Sequence, residues 1–209
     1  MRRLSSGAKS LGLALARRLR RRLLIRAGQL GAAEQDFAAA AREAFAPSEP
    51  GAVALVGDSQ VALASWLELL TPYRNRGLPG AKIADVVAWI DGVLAERPAR
   101  LVLFVGSNDV YFGAPPAESL AAARSLFDRI ALHADCPVAV VSVPPLPGDK
   151  RAARSLNAGL AKLAADHGFG WIDIGPTLAA LDWTDDGIHL NAAAYRAVAP
   201  LIADALRSP

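Results

Sequence analysis

Residues 52–60 read AVALVGDSQ. Five apolar side chains run without a break into Gly57, Asp58 and Ser59, and a helical pattern starts at once. A short continuous apolar run closed by glycine reads as a strand buried on both faces, as in a parallel sheet. The C-terminal end of such a strand is where open α/β sheets place their chemistry. A serine delivered there, at the start of a helix, is a candidate nucleophile. Ser59 and Asp58 are equally suited to a plainer role, since both residue types cap helices.

From Ala52 onward strand and helix signals alternate as in a chain of βαβ units. Further strands are expected over 73–78, 100–105, 137–143 and 169–174. Helices are expected over 61–70, 83–95, 116–133, 151–167 and 192–206. Hydrophobic residues make up 53% and charged residues 21% of the chain. That composition describes a packed α/β domain rather than a disordered segment, and the length leaves room for an extension.

The extension is N-terminal. Residues 1–26 carry nine basic side chains and no acid, whereas residues 27–209 carry 14 basic and 20 acidic ones, a net of −6. The high isoelectric point therefore belongs to the arm and not to the domain that follows. The apolar stretch 11–16 is too short and too closely followed by Arg17 and Arg18 for a signal peptide, and no run approaches the ~20 apolar residues of a membrane span. Residues 1–46 are expected to form a basic helical extension, ending at a linker between Pro47 and Pro50. The domain proper is drawn at 51–209. Three roles stay open for the arm: a solvated helix, a basic amphipathic helix on anionic lipid, or a nucleic-acid contact. The last is disfavoured because no aromatic residue interleaves with the arginines. A cytoplasmic protein is expected, in one version peripheral on the membrane.

Cys136 is the single cysteine, and the three histidines are His133, His167 and His189. This excludes an intrachain disulfide framework and gives no metal-ligand spacing, so neither metal nor cofactor is expected. What remains is a set of polar residues near strand ends. Ser59 follows the first strand, Asn108 the third, and Asp186 and His189 lie in the last loop. In a parallel sheet these ends share one edge. A serine nucleophile needs a base, for which His189 has the right chemistry, and the base needs an acid to fix its tautomer. Asp186 is three residues away in the same turn, with Asp185 as its competitor. Donors for a developing oxyanion are available from the Ser59 N–H, the Gly80 N–H and the Asn108 amide. Singly, each of these residues also reads as an ordinary turn former or cap.

Four blocks in order carry a specific resemblance: Gly57-Asp58-Ser59, the stretch from Asn75 to Gly80, Gly106-Ser107-Asn108-Asp109, and Asp186-Gly187-Ile188-His189. Together they resemble the SGNH, or GDSL, hydrolase family over about residues 50–207. The stretch around NRGLPG and RLVLFVGSND is most similar to the branch that looks like platelet-activating-factor acetylhydrolases and lysophospholipases. The resemblance implies a three-layer α/β/α sandwich on a five-stranded parallel sheet of flavodoxin-like order 2-1-3-4-5. It implies Ser59 as nucleophile, Asp186 and His189 as its partners, and Gly80 and Asn108 as oxyanion donors, beside the Ser59 N–H already named. Two departures stand out: Gln60 where the family name has Leu, and Ala81-Lys82 where Asp-Thr is common after the second block.

The implied activity is that of a serine esterase on a small-molecule or lipid ester. An acyltransferase would use the same site, and a non-catalytic binding module on this fold is the reading from another class. Tyr111, Phe112 and Trp183 are candidates to line the substrate pocket; they would serve as well to cover the open sheet edge.

Overall fold

The computed structural model describes residues 41, 45, 51–63 and 73–207. The helical extension expected over 1–46, apart from residues 41 and 45, the linker 47–50 and most of the helix expected over 61–70 lie outside the described residues.

Five strands form one sheet: β1 (Val53–Gly57), β2 (Tyr73–Gly77), β3 (Arg100–Phe104), β4 (Val138–Val141) and β5 (Gly170–Ile172). All neighbours pair in parallel, in the order β2-β1-β3-β4-β5. The sequence of each strand reflects its place. β1, β3 and β4 read VALVG, RLVLF and VAVV and are buried almost throughout, because helices cover both faces of the sheet centre. The edge strands YRNRG and GWI are less covered, and the first is also polar.

Among the described residues six helices lie between the strands and two follow β5: α1 (Ser59–Ala62), α2 (Ile83–Val86), α3 (Ile90–Ala95), α4 (Ser107–Phe112), α5 (Pro116–His133), α6 (Lys150–Asp166), and then α7 (Gly175–Ala179) and α8 (Ala192–Arg207). One layer is built from α2, α3, α5 and α6, which pack on one another, while α8 packs with α7 and the β4–β5 side. This is the expected three-layer sandwich. The longest helix, α5, starts with Pro116 in its first turn and buries Ala123, Leu126, Phe127 and Ile130, one stripe at helical spacing. Leu126, Phe127 and Ile130 join Leu101, Leu103 and Phe104 of β3 in the fully buried centre. Each such side chain contributes roughly 1.5–3 kcal/mol by leaving water. No helix among the described residues is long and apolar enough to cross a membrane.

Three local expectations are corrected. The helix expected over 83–95 is two, because the backbone tightens between them: the N–H groups of Ala88 and Trp89 donate to carbonyls only three residues back. The apolar spacing of Ile83, Val86, Trp89, Ile90 and Val93 continues through the break, and so reads as unbroken in sequence. Two short helices, α4 and α7, stand where turns or loop were expected.

Two glycines set the geometry of the sheet edge that matters. Gly57 and Gly77 face each other at the ends of β1 and β2. A Cβ on Gly57 would lie 2.0 Å from the Phe104 carbonyl oxygen, and one on Gly77 would lie 2.4 Å from the Ala62 nitrogen. Only glycine lets β3 and the turn into α1 come this close.

Candidate active site

The four sequence blocks meet at the C-terminal edge of the sheet, joined by named hydrogen bonds. The Leu78 N–H donates to the Gly57 carbonyl at 2.9 Å, linking the first block to the second. The Asn108 amide donates to the Ala81 carbonyl at 2.9 Å, and the Ile83 N–H donates to Asp109 Oδ2 at 3.0 Å, linking the residues just after the second block to the third. Ser59 Oγ lies 3.0 Å from His189 Nε2, linking the first to the fourth across 130 residues of sequence.

Ser59 is the first residue of α1 and is 5% exposed. Asp58 caps this helix by accepting the Gln60 N–H at 2.8 Å. The capping role and the candidate nucleophile are thus divided between neighbours. The Ser59 N–H sits in the first turn, where helix amides have no intrahelical acceptor, and makes no hydrogen bond within the described residues. Asp58 is wholly buried, with Oδ2 unpartnered. Burial pushes its carboxyl up to about 7. The Gln60 N–H and nearby Ser107 oppose the rise, and the charge of Asp109 adds to it. The Ser107 hydroxyl is close but completes no hydrogen bond.

His189 is held by Asp186. Oδ2 of Asp186 lies 2.5 Å from Nδ1, while Oδ1 accepts the backbone N–H groups of His189 and Ile188, each at 2.9 Å, and the Thr184 hydroxyl at 3.2 Å. Partial burial raises the Asp186 carboxyl. The two backbone donors and the imidazole outweigh it and bring the carboxyl down to about 2. Asp185 does not reach the imidazole; its contact is with the Asn191 amide at 3.5 Å.

Pro79-Gly80 forms the centre of a turn closed by the Ala81 N–H on the Leu78 carbonyl at 3.3 Å. Pro second and a glycine with φ +88° third is the pattern of a type II turn. The Gly80 N–H has no acceptor among the described residues. Asn108 is 4% exposed and uses one amide hydrogen on Ala81, which leaves its second available.

Tyr111 and Phe112 follow Asn108 by three and four residues on α4 and so share its face. Their rings pack edge to face at 5.2 Å, and the Lys82 ammonium lies 5.8 Å from the Phe112 ring. Trp183 is different. It is 7% exposed and belongs to the hydrophobic core. A separate cavity of about 550 Å³, lined by Lys150, Arg154, Trp171 and Asp173 among others, contains none of these site residues.

Several residues that fix the site were not singled out as site residues in the sequence. Gln60 bonds both chain neighbours of His189. Asn75 donates to the Val61 carbonyl at 2.9 Å, closing the end of α1. Thr184 bridges Asp186 and the Gly187 N–H. Gln60 stands out in the sequence only as a departure from the family name and Asn75 only as the start of the second block, while Thr184 carries no signal.

The sequence profile of the GDSL-like lipase/acylhydrolase family matches residues 51–197. The chain belongs to this family. No curated protein matches it closely enough to count as a relative. Among solved structures, this GDSL hydrolase is similar to one from Streptococcus pneumonia named for platelet activating factor, with 19% identity, TM-score 0.69, and 88% of this chain and 97% of that one covered. A GDSL-like lipase from Bacteroides thetaiotaomicron shares 21% identity at TM-score 0.66, over 81% of this chain and 98% of that one. The acetylxylan esterase Axe2 from Geobacillus stearothermophilus shares 17% at TM-score 0.64, over 78% and 97%. At these identities the likeness is one of fold. Family membership makes the GDSL protein a hydrolase.

Proposed function

We propose that this GDSL hydrolase is a serine esterase that cleaves carboxylic esters through a Ser59 acyl-enzyme. The observation that carries the reading is the pair of contacts in line: Ser59 Oγ to His189 Nε2 at 3.0 Å, and His189 Nδ1 to Asp186 Oδ2 at 2.5 Å. With Nδ1–H directed at the carboxylate, Nε2 presents its lone pair to the serine hydroxyl. As Ser59 Oγ attacks the ester carbonyl carbon, its proton passes to Nε2. The imidazolium is then stabilised by Asp186, which stays ionised. When the tetrahedral intermediate collapses, the same proton goes to the leaving alkoxide. Water, deprotonated by His189, then releases the acid from the acyl-enzyme.

The oxyanion has three candidate donors: the Ser59 N–H, the Gly80 N–H and the second hydrogen of the Asn108 amide. Support comes from what these groups lack. The two N–H groups have no acceptor among the described residues, and the amide is anchored through its other hydrogen, so no internal bond must break for them to serve. One such donor typically lowers the barrier by about 3–4 kcal/mol. Tyr111 and Phe112, on the Asn108 face of α4, are proposed to flank the bound ester, with Lys82 at their rim.

The test is a panel of acetyl and short-chain aryl esters, with and without acceptor alcohols. Wild type should hydrolyse at least one member and Ser59→Ala none. Turnover by Ser59→Ala at the wild-type rate would refute the reading. Transfer to the added alcohol that exceeds release of free acid, with little turnover in water alone, would turn it into an acyltransferase.

A further inference from the structure

We propose that Gln60 is a positioning residue for His189, acting as a clamp that sets the distance between base and nucleophile. The inference rests on the serine-esterase reading above.

Ser59 and His189 come from segments 130 residues apart, so their 3.0 Å approach needs a bond between those segments. Asp186 cannot supply it. Its hydrogen bonds all stay within 184–189, which stiffens the loop but does not locate it relative to α1. Gln60 does reach across. It follows Ser59 directly on α1 and is completely buried. Its Nε2 donates to the Ile188 carbonyl at 2.6 Å, and its Oε1 accepts the Leu190 N–H at 3.2 Å. Those are the two residues flanking His189. From behind, the Tyr195 hydroxyl on α8 donates to the Gln60 carbonyl at 2.8 Å, so the clamp is held in turn by the last helix. Burial, with the charges of Asp58 and Asp186, pushes the Tyr195 hydroxyl well above its ordinary range and keeps it a donor.

The clamp needs a donor and an acceptor on one side chain, which the primary amide of Gln60 supplies at every pH. Its planar group carries both a donor and an acceptor, and so satisfies a backbone carbonyl and a backbone N–H two residues apart. Leucine here would fill the space but strand both backbone groups, of which Leu190 is buried. A base loop released from α1 would let the imidazole drift, and a displacement on the order of 1 Å costs about 100-fold in rate.

Two variants test this. Gln60→Met keeps the volume and removes both hydrogen bonds. Gln60→Glu is isosteric and, while protonated in its buried site, can still donate to Ile188 and accept from Leu190; once ionised it repels the Ile188 carbonyl. Assayed on an aryl acetate well below each melting temperature, Gln60→Met should lose about 10-fold to 100-fold in kcat with KM nearly unchanged. Its rate of fluorophosphonate labelling should fall in parallel. The activity of Gln60→Glu relative to wild type should be high at acidic pH and decline as pH rises, whereas the Gln60→Met ratio stays flat. If Gln60→Met does not fold, the pH profile of Gln60→Glu decides alone, and a flat ratio overturns the clamp. Ser59→Ala and His189→Ala run alongside. If they are inactive while Gln60→Met stays within twofold of wild type, the clamp falls and the esterase reading stands. If they retain full turnover, the esterase reading falls and the clamp with it.

Discussion

Asp186 grips His189 twice: Oδ2 meets Nδ1 at 2.5 Å and Oδ1 accepts the backbone N–H of the same residue at 2.9 Å. Ring tautomer and loop shape are therefore set by one carboxylate. Asp186→Asn keeps an oxygen for the backbone donors but presents N–H to Nδ1, which favours the tautomer with its proton toward Ser59. A kcat loss of about 10³–10⁴ is expected, with His189→Ala costing at least as much. Asp185→Asn should be near wild type, because Asp185 faces Asn191 instead. Steady-state kinetics of the three variants check this. A severe Asp185→Asn beside a mild Asp186→Asn would reverse the assignment.

Asn108→Ala removes an amide that is anchored on Ala81 through one hydrogen and keeps its second available. Its kcat should fall by about 100-fold to 1,000-fold with little change in KM, as for a donor that acts mainly on developing charge. A raised KM with kcat intact would make Asn108 a binder of the ground state.

Asp58 links the site to stability. Its carboxyl stands at about 7 in the folded protein against an ordinary 3.8, because burial disfavours the charge. Between these values the folded state holds a proton that the unfolded state has lost. Stability therefore falls as pH rises from about 4 to about 7, and levels off above. Asp58→Asn keeps an oxygen for the Gln60 N–H and has no charge to bury. Its stability relative to wild type should grow across that window, reaching on the order of 1–4 kcal/mol at pH 8. Urea unfolding of both proteins from pH 4 to pH 8 measures it; a difference that does not vary with pH would mean Asp58 does not titrate there.

The central strands were legible because burial on both faces writes itself as uninterrupted apolar residues, as in VALVG, RLVLF and VAVV. Helix α5 was legible to the residue, with Pro116 at its start and its stripe unbroken to Ile130. The split at Ala88 and Trp89 was not, since a three-residue hydrogen bond leaves the apolar spacing intact. Nor was α4, where the Gly-Ser-Asn-Asp run that opens it reads as a turn. In the site, Ser59, Asp186 and His189 could be nominated by chemistry and order alone. Gln60 could not, because its role depends on backbone groups 128 and 130 residues away that no local pattern announces.

We propose that catalysis is carried by 51–209 and that residues 1–26 act on an anionic surface. Deleting 1–26 should leave hydrolysis of soluble esters within about twofold and abolish salt-sensitive binding to anionic vesicles, to which each engaged Arg or Lys contributes about 1 kcal/mol. Equal vesicle binding by both proteins would remove that role. Deleting 1–46 goes further. It also strips buried Ala41 and the Phe45 ring that lies 5.1 Å from the Arg76 guanidinium, itself paired with Glu96. Together these losses should cost about 2 kcal/mol, or roughly 4–8 °C in melting temperature. Identical melting of the two truncations would leave the boundary at Pro47 as drawn.

The esterase reading requires His189 to activate Ser59 for covalent attack. Intact-mass analysis after incubation with a fluorophosphonate, followed by peptide mapping, tests it most directly. One adduct per chain on Ser59 is predicted, absent from Ser59→Ala and strongly slowed in His189→Ala, with all three proteins folded by circular dichroism. An adduct on another residue, or undiminished labelling of Ser59→Ala, would mean that Ser59 is not the nucleophile.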